Sequence, residues 1–374
     1  SSDLMNLEDL LIPFGKVFGR SVDIRNALYD RGVLRSYDLG VRTISVGNLT
    51  TGGTGKTPIV ALVAEILAGE GERVCILTRG YGRKHTGRRV LVSDGQKILS
   101  DPEAGGDEPI ELARRLGERA IIIADADRVS AAAWARERFG VTAFILDDGF
   151  QHRRARRDVD IVCIDATDPC GNGRMLPAGR LRESFRNLDR ADAIVITRAD
   201  LVSSTAEIEA RLRARNADAP LFRAVTQIKR FTELVTFLDR EPQTDRDLTG
   251  VKVWEDLVRS RISNDSGSLR VGAFCGIGNP DAFFEQLRRS FIGIRDSVVE
   301  IAMTRRFNDH HRYGQNDIDS IERASNENGV DVLVTTAKDA VKLDGLKFRI
   351  PCFVVESESV IDRPEDLRVL LFGV

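Results

Sequence analysis

Thr50-Thr51-Gly52-Gly53-Thr54-Gly55-Lys56-Thr57 is the stretch on which the fold turns. An apolar run at 41–46 precedes it. An apolar segment of helical period at 58–67 follows, closed by Gly69 and Gly71. Strand, glycine-rich turn and helix in that order form the setting of a phosphate-binding loop. The glycines let backbone N–H groups turn toward phosphate oxygens, and the helix offers the positive end of its dipole to the same place. Thr50, Thr51, Gly52, Gly53, Thr54, Gly55, Lys56 and Thr57 are therefore the expected nucleotide cradle. Lys56 would reach the β- and γ-phosphates of a bound nucleotide, and the Thr57 hydroxyl would serve Mg²⁺. The pattern G-x-x-x-x-G-K-[ST] expects glycine where this chain has Thr50.

Working outward, short apolar runs at 74–78, 120–124, 142–146, 159–164 and 193–197 read as buried strands, and 129–139 as a helix. Strands alternating with helices predict an α/β fold, a P-loop NTPase-type parallel sheet with helices on both faces. A second such rhythm, with strands at 269–274, 331–335 and 352–355 and a helix at 280–288, predicts a smaller second α/β domain. The expected division is 1–225 and 226–374. A chain of 374 residues exceeds the ~250–300 at which single cores stop growing. The polar stretch 227–267, with Pro242 and Ser263-Asn264-Asp265-Ser266-Gly267, reads as the start of the second domain with a mobile surface segment.

The run Phe144-Ile145-Leu146-Asp147-Asp148 ends an apolar strand in two carboxylates at the sheet edge where ligands of open α/β sheets bind, so either could serve Mg²⁺. P-loops serve many reactions. A GTPase is weakly suggested by Thr197-Arg198-Ala199-Asp200, with Arg where guanine-reading loops have Lys. A small-molecule kinase and a nucleotide-dependent switch stay open, whereas a metallochaperone ATPase lacks clustered Cys and His.

The 55 basic and 57 acidic residues leave a net charge of −2, which excludes a bulk nucleic-acid binder. No apolar run approaches the ~18 residues of a membrane span. The five cysteines, Cys75, Cys163, Cys170, Cys275 and Cys352, are widely spaced without C-x-x-C, as expected of reduced thiols in a cytosolic chain. No secretory signal is expected at residues 1–8. Residues 7–34 read as a helix with Leu10, Leu11, Phe14, Val17 and Phe18 on one face among Lys16, Arg20, Arg25, Arg31 and Arg35. Such a face suits either core packing or an anionic membrane surface.

Longer runs then carry a resemblance. They are Val46-Gly47-Asn48-Leu49, Thr78-Arg79-Gly80-Tyr81-Gly82, Gly106-Asp107-Glu108-Pro109, Asp147-Asp148-Gly149-Phe150-Gln151-His152 and Gly171-Asn172-Gly173-Arg174-Met175-Leu176-Pro177-Ala178-Gly179-Arg180-Leu181-Arg182-Glu183. Downstream lie Gly276-Ile277-Gly278-Asn279-Pro280, Asp309-His310-His311-Arg312-Tyr313 and Thr335-Thr336-Ala337-Lys338-Asp339-Ala340-Val341-Lys342-Leu343. In this order they resemble the tetraacyldisaccharide 4'-kinase (lipid A 4'-kinase) family. Thr50 fits its usual Ser or Thr, while Ala337 and Asn308 stand where Glu and Pro are usual.

The resemblance implies transfer of the γ-phosphoryl group of ATP to the 4'-hydroxyl of a tetraacyl glucosamine disaccharide 1-phosphate, giving lipid IVA. It implies a base formed by Asp107 with His310, brought together from different domains, with Asp309 and Lys56 as further catalytic candidates. Thr57, Glu108, Asp147 and Asp148 are then candidates for Mg²⁺, and Arg79, Tyr81, Arg128 and Arg182 for the lipid substrate. With a lipid substrate the N-terminal helix is expected to dock at the membrane, and the enzyme to work as a peripheral protein, a monomer, on the cytoplasmic face of the inner membrane.

Overall fold

A computed structural model describes residues 7–81, 83–239, 249–263, 268–291 and 299–373. Its strands are β1 (Arg42–Asn48), β2 (Val74–Thr78), β3 (Val90–Ser93), β4 (Ala120–Ala124), β5 (Ala143–Asp147), β6 (Val159–Asp165), β7 (Ala193–Thr197), β8 (Leu221–Glu233), β9 (Leu269–Cys275), β10 (Val299–Arg306), β11 (Val332–Thr336) and β12 (Cys352–Ile361). The chain divides into two compact units. One comprises Ser1–Arg79, Asp125–Val225 and Val360–Val374, the other Gly80–Ala124 and Thr226–Ser359.

In the first unit β8, β7, β6, β1, β5 and β2 pair in that order, all parallel. Strands β2, β5, β6 and β7 are buried along their whole length, which is why they read as unbroken apolar runs. The helix Lys56–Gly69 is apolar nearly all round and buries Ile59, Val60, Ala61, Val63, Ala64 and Leu67. Gly47 lets β1 meet the turn after β5, because a Cβ there would stand 2.6 Å from the Cβ of Phe150. The N-terminal helix spans Leu7–Asp30, stops before Gly32 at φ +70°, and turns Gly15, Val22 and Asn26 inward.

In the second unit β10, β9, β11 and β12 form a parallel set, and β3 pairs antiparallel with β4. Its core gathers Phe231, Trp254, Phe284, Leu287, Phe291 and Phe353, with Phe231 and Trp254 stacked at 4.1 Å.

Two expectations need correction. The units part near 225, but Gly80–Ala124 groups with the later unit and Val360–Val374 with the earlier one, so they are not consecutive in sequence. The stretch 227–267, expected to show weak periodicity, carries regular structure at 227–239 and 249–263. β8 runs on to Glu233, helices cover Leu234–Asp239 and Thr249–Ser263, and Trp254 and Val258 enter the core. Residues 240–248 and 264–267, including Pro242, lie outside the described residues.

Candidate functional site

The first unit builds the phosphate cradle from β1 upward. Asn48, last in β1, donates from Nδ2 to the Thr50 carbonyl (2.8 Å) and the Thr54 hydroxyl (2.9 Å), and its Oδ1 accepts from Lys56 Nζ (3.2 Å). Arg180 props the loop from outside, donating to the Thr51 carbonyl at 2.9 Å while also gripping Asp168 at 2.8 Å. Gly52 (φ +102°) and Gly55 (φ +71°) take backbone conformations that side chains disfavour. Gly55 precedes the helix without a side-chain cap, so the first N–H groups keep their capacity for an anion. Thr57 sits partly exposed in the first turn. These groups fit a nucleotide's phosphates.

At the end of β5, Asp147 accepts from the Thr78 hydroxyl at 2.9 Å. Asp148 (φ +53°) takes both Arg182 nitrogens at 2.7 Å each and lies 3.4 Å from Lys56 Nζ. Burial alone would raise the Asp148 carboxyl, but Lys56 and Arg182 outweigh it and hold it far below the usual carboxylate range. Among the described residues no three His, Cys, Asp or Glu side chains converge as a metal cage. Hydroxyl and carboxylate oxygens such as those of Thr57 and Asp147 suit Mg²⁺, which keeps waters and phosphate oxygens as its other ligands.

Of the basic residues expected to hold substrate, Arg128 is turned inward. It is 3% exposed and donates to the carbonyls of Asp147 (2.7 Å) and Asp148 (3.3 Å). Its guanidinium braces the turn after β5 and offers no open fork, which corrects its assignment to the substrate. Arg182 likewise spends its fork on Asp148 and Asn48. Arg79 is exposed.

The second unit holds the pair expected to serve as the base. Asp107 opens the helix Asp107–Leu116, 6% exposed, and both its carboxylate oxygens lie near His310 Nδ1, at 3.1 and 2.9 Å. His310 takes a left-handed backbone (φ +60°), and the Tyr81 ring, 71% exposed, lies 5.4 Å from its imidazole. The hydrogen bond to Asp107 raises the His310 pKa above its ordinary value, against the pull of burial. Burial would raise Asp107, yet the His310 hydrogen bond and the charges of Lys338 and Lys342 keep it lowered. Both members belong to one unit, so the expectation that they come from different domains is corrected: the pair needs no closure to form.

Glu108 and Asp309 flank the pair, and each places a carboxylate oxygen 3.0 Å from Lys338 Nζ. Lys342 Nζ lies 3.8 Å from Asp107 and 2.9 Å from Asp339. A cavity of about 340 Å³ opens beside the pair, lined in part by Asp107, His310, Tyr313 and Lys342. Asn48, Arg180, Lys338 and Lys342 were missed as site residues.

Comparison with known proteins follows the same lines. A family model described as tetraacyldisaccharide-1-P 4'-kinase matches residues 7–372. A tetraacyldisaccharide 4'-kinase of Geobacter metallireducens is 38% identical over 91% of this chain and 90% of its own. One from Desulfotalea psychrophila is 33% identical over 98% of each. The crystal structure of "apo" form LpxK from Aquifex aeolicus in complex with ATP aligns with a TM-score of 0.71 at 29% identity, covering 98% of this chain and 99% of that one.

Proposed function

We propose that this chain, which belongs to the tetraacyldisaccharide-1-P 4'-kinase family, transfers the γ-phosphoryl group of ATP to the 4'-hydroxyl of a tetraacyl glucosamine disaccharide 1-phosphate. The single observation that carries the chemistry is the Asp107–His310 pair, because a nucleotide switch needs no base for a sugar hydroxyl. With Nδ1–H donated to Asp107, Nε2 is left to take the hydroxyl proton. The alkoxide-like oxygen bonds to the γ-phosphorus as the bond to the bridging oxygen breaks, and ADP leaves. Lys56 and the backbone N–H groups of 50–57 balance charge on the phosphates. Thr57 and Asp147 would hold Mg²⁺, which supplies further charge neutralisation when bound. Asp148 orients Lys56 and Arg182. Tyr81, exposed beside His310, offers a flat face for a sugar, and Arg79 a fork for the 1-phosphate.

The acceptor is a lipid, and the N-terminal helix supplies the means to meet it. Leu10, Phe14, Val17 and Ile24 are 51–66% exposed along one side of Leu7–Asp30. Among the described residues no helix is long and apolar enough to cross a membrane. Peripheral docking of this helix at the inner membrane's cytoplasmic face is the reading these features support. The test is incubation with γ-labelled Mg-ATP and the detergent-solubilised disaccharide 1-phosphate. Labelled lipid is expected, and its absence would defeat the assignment.

A further inference from the structure

Asp107 and Glu108 are neighbours at a helix start, and Asp309 and His310 are neighbours in a loop of the same unit. They meet as two adjacent rungs. One is the Asp107–His310 hydrogen bond. The other would set two carboxylates, Glu108 and Asp309, against each other. Lys338 stands between them, 12% exposed, with Nζ 3.0 Å from Glu108 Oε1 and 3.0 Å from Asp309 Oδ1. That same Asp309 Oδ1 accepts the His310 backbone N–H at 3.0 Å, at the residue whose φ is +60°. The other oxygen of Asp309 is 3.7 Å from His310 Nε2. Lys338 is itself fixed. Its short helix Ala337–Ala340 is capped by Thr336, and Asp339 accepts from the Gly276 N–H at 2.9 Å.

We propose that Lys338 is a positioning residue for the phosphoryl transfer. Its charge joins Glu108 to Asp309, holds the loop in the left-handed turn that presents His310 to Asp107, and keeps Asp309 from claiming Nε2. The inference rests on the proposed kinase reaction for its kinetic readout alone. Removing the ammonium leaves two close, half-buried carboxylates repelling across the rung, which opens the loop and misplaces the imidazole. Misplacement of a catalytic group by about 1 Å can cost on the order of 10²-fold in rate.

The experiment compares Lys338→Met, Lys338→Gln and Lys338→Arg in the full chain. It reads kcat, KM for ATP, and the NMR signal of the His310 Nδ1–H in protein labelled with ¹⁵N-histidine. The methionine and glutamine variants should lose about 10²-fold in kcat with KM for ATP within about twofold. They should also lose or broaden the hydrogen-bonded ring N–H signal. Arginine, which can bridge two carboxylates, should recover much of both. An intact ring signal without the charge overturns the proposal, as does full kcat in the methionine or glutamine variant, or an arginine variant as impaired as the methionine one. Should Lys338→Met fail to fold by circular dichroism, the polar, uncharged Lys338→Gln carries the same measurements. If the wild-type protein does not phosphorylate the disaccharide, the functional reading falls, and the ring signal still decides the brace.

Discussion

The contact between His310 and Asp107 fixes what single residues predict. His310 is held above its ordinary pKa chiefly by its hydrogen bond to Asp107, so in the folded protein it keeps its proton to higher pH than in the unfolded chain. The sign for stability follows: the contribution is complete below the unfolded value near ~6.5 and is lost as pH rises through the raised folded value. The base must be neutral to act, so turnover should rise with pH through that raised value. Asp107→Asn should move this acid limb to lower pH and depress the plateau; a limb that stays put would separate His310 from the pH profile. Asp107→Ala and His310→Ala should each depress kcat strongly, and the double variant should be little worse than the worse single, since the pair acts as a unit. Multiplicative losses would speak against it. Cys75, Cys163, Cys275 and Cys352 are buried, and only Cys170 is partly open. Native protein should therefore give one fast equivalent with a thiol reagent, against five after denaturation.

Among elements, the N-terminal helix shows how far the sequence could be read. Its apolar side was legible from Leu10, Phe14 and Val17, but whether that side packs or lies open depends on tertiary contacts. Gly15 and Gly19 decide it. A Cβ at Gly15 would stand 2.9 Å from the Met175 carbonyl, so the glycine side seats on the chain and the apolar side is left out. Phe14→Ser with Val17→Ser should shift the protein from anionic vesicles to the soluble fraction with kcat on detergent-solubilised substrate little changed, as sedimentation would show. Unchanged partitioning would sink the docking role. Fully buried strands such as β2 and β7 were readable to the residue because burial on both faces leaves an unbroken apolar run. β10 was not, because Val-Glu-Ile-Ala-Met-Thr-Arg-Arg mixes exposed and half-buried positions. The cradle was legible since P-loop chemistry demands local residues. Arg180 and Lys338 were not, since their partners lie far away in the chain. Arg128 misled because a buried Arg serving backbone carbonyls looks, in sequence, like one meant for phosphate.

For the whole molecule, the chemistry divides between the two units, and this makes the parts separable by experiment. The proposed phosphate cradle at 48–57 lies in the first unit, and the proposed base, the Asp107–His310 pair, lies in the second. Catalysis should then be able to fail while ATP binding survives. ATP at 100 times its Kd stabilises its binding state by about 2.7 kcal/mol, so melting of the wild-type protein should rise by some degrees with Mg-ATP. Lys56→Met should abolish that rise, because Lys56 faces both Asn48 and Asp148 inside the cradle. It should also cost at least ~10²-fold in kcat, the scale of losing one charge-stabilising donor. His310→Ala should keep the full thermal response to Mg-ATP and lose turnover. A histidine variant blind to ATP would sink this separation, since the cradle groups at 48–57 belong to the first unit and the His310 imidazole is held by Asp107 in the second.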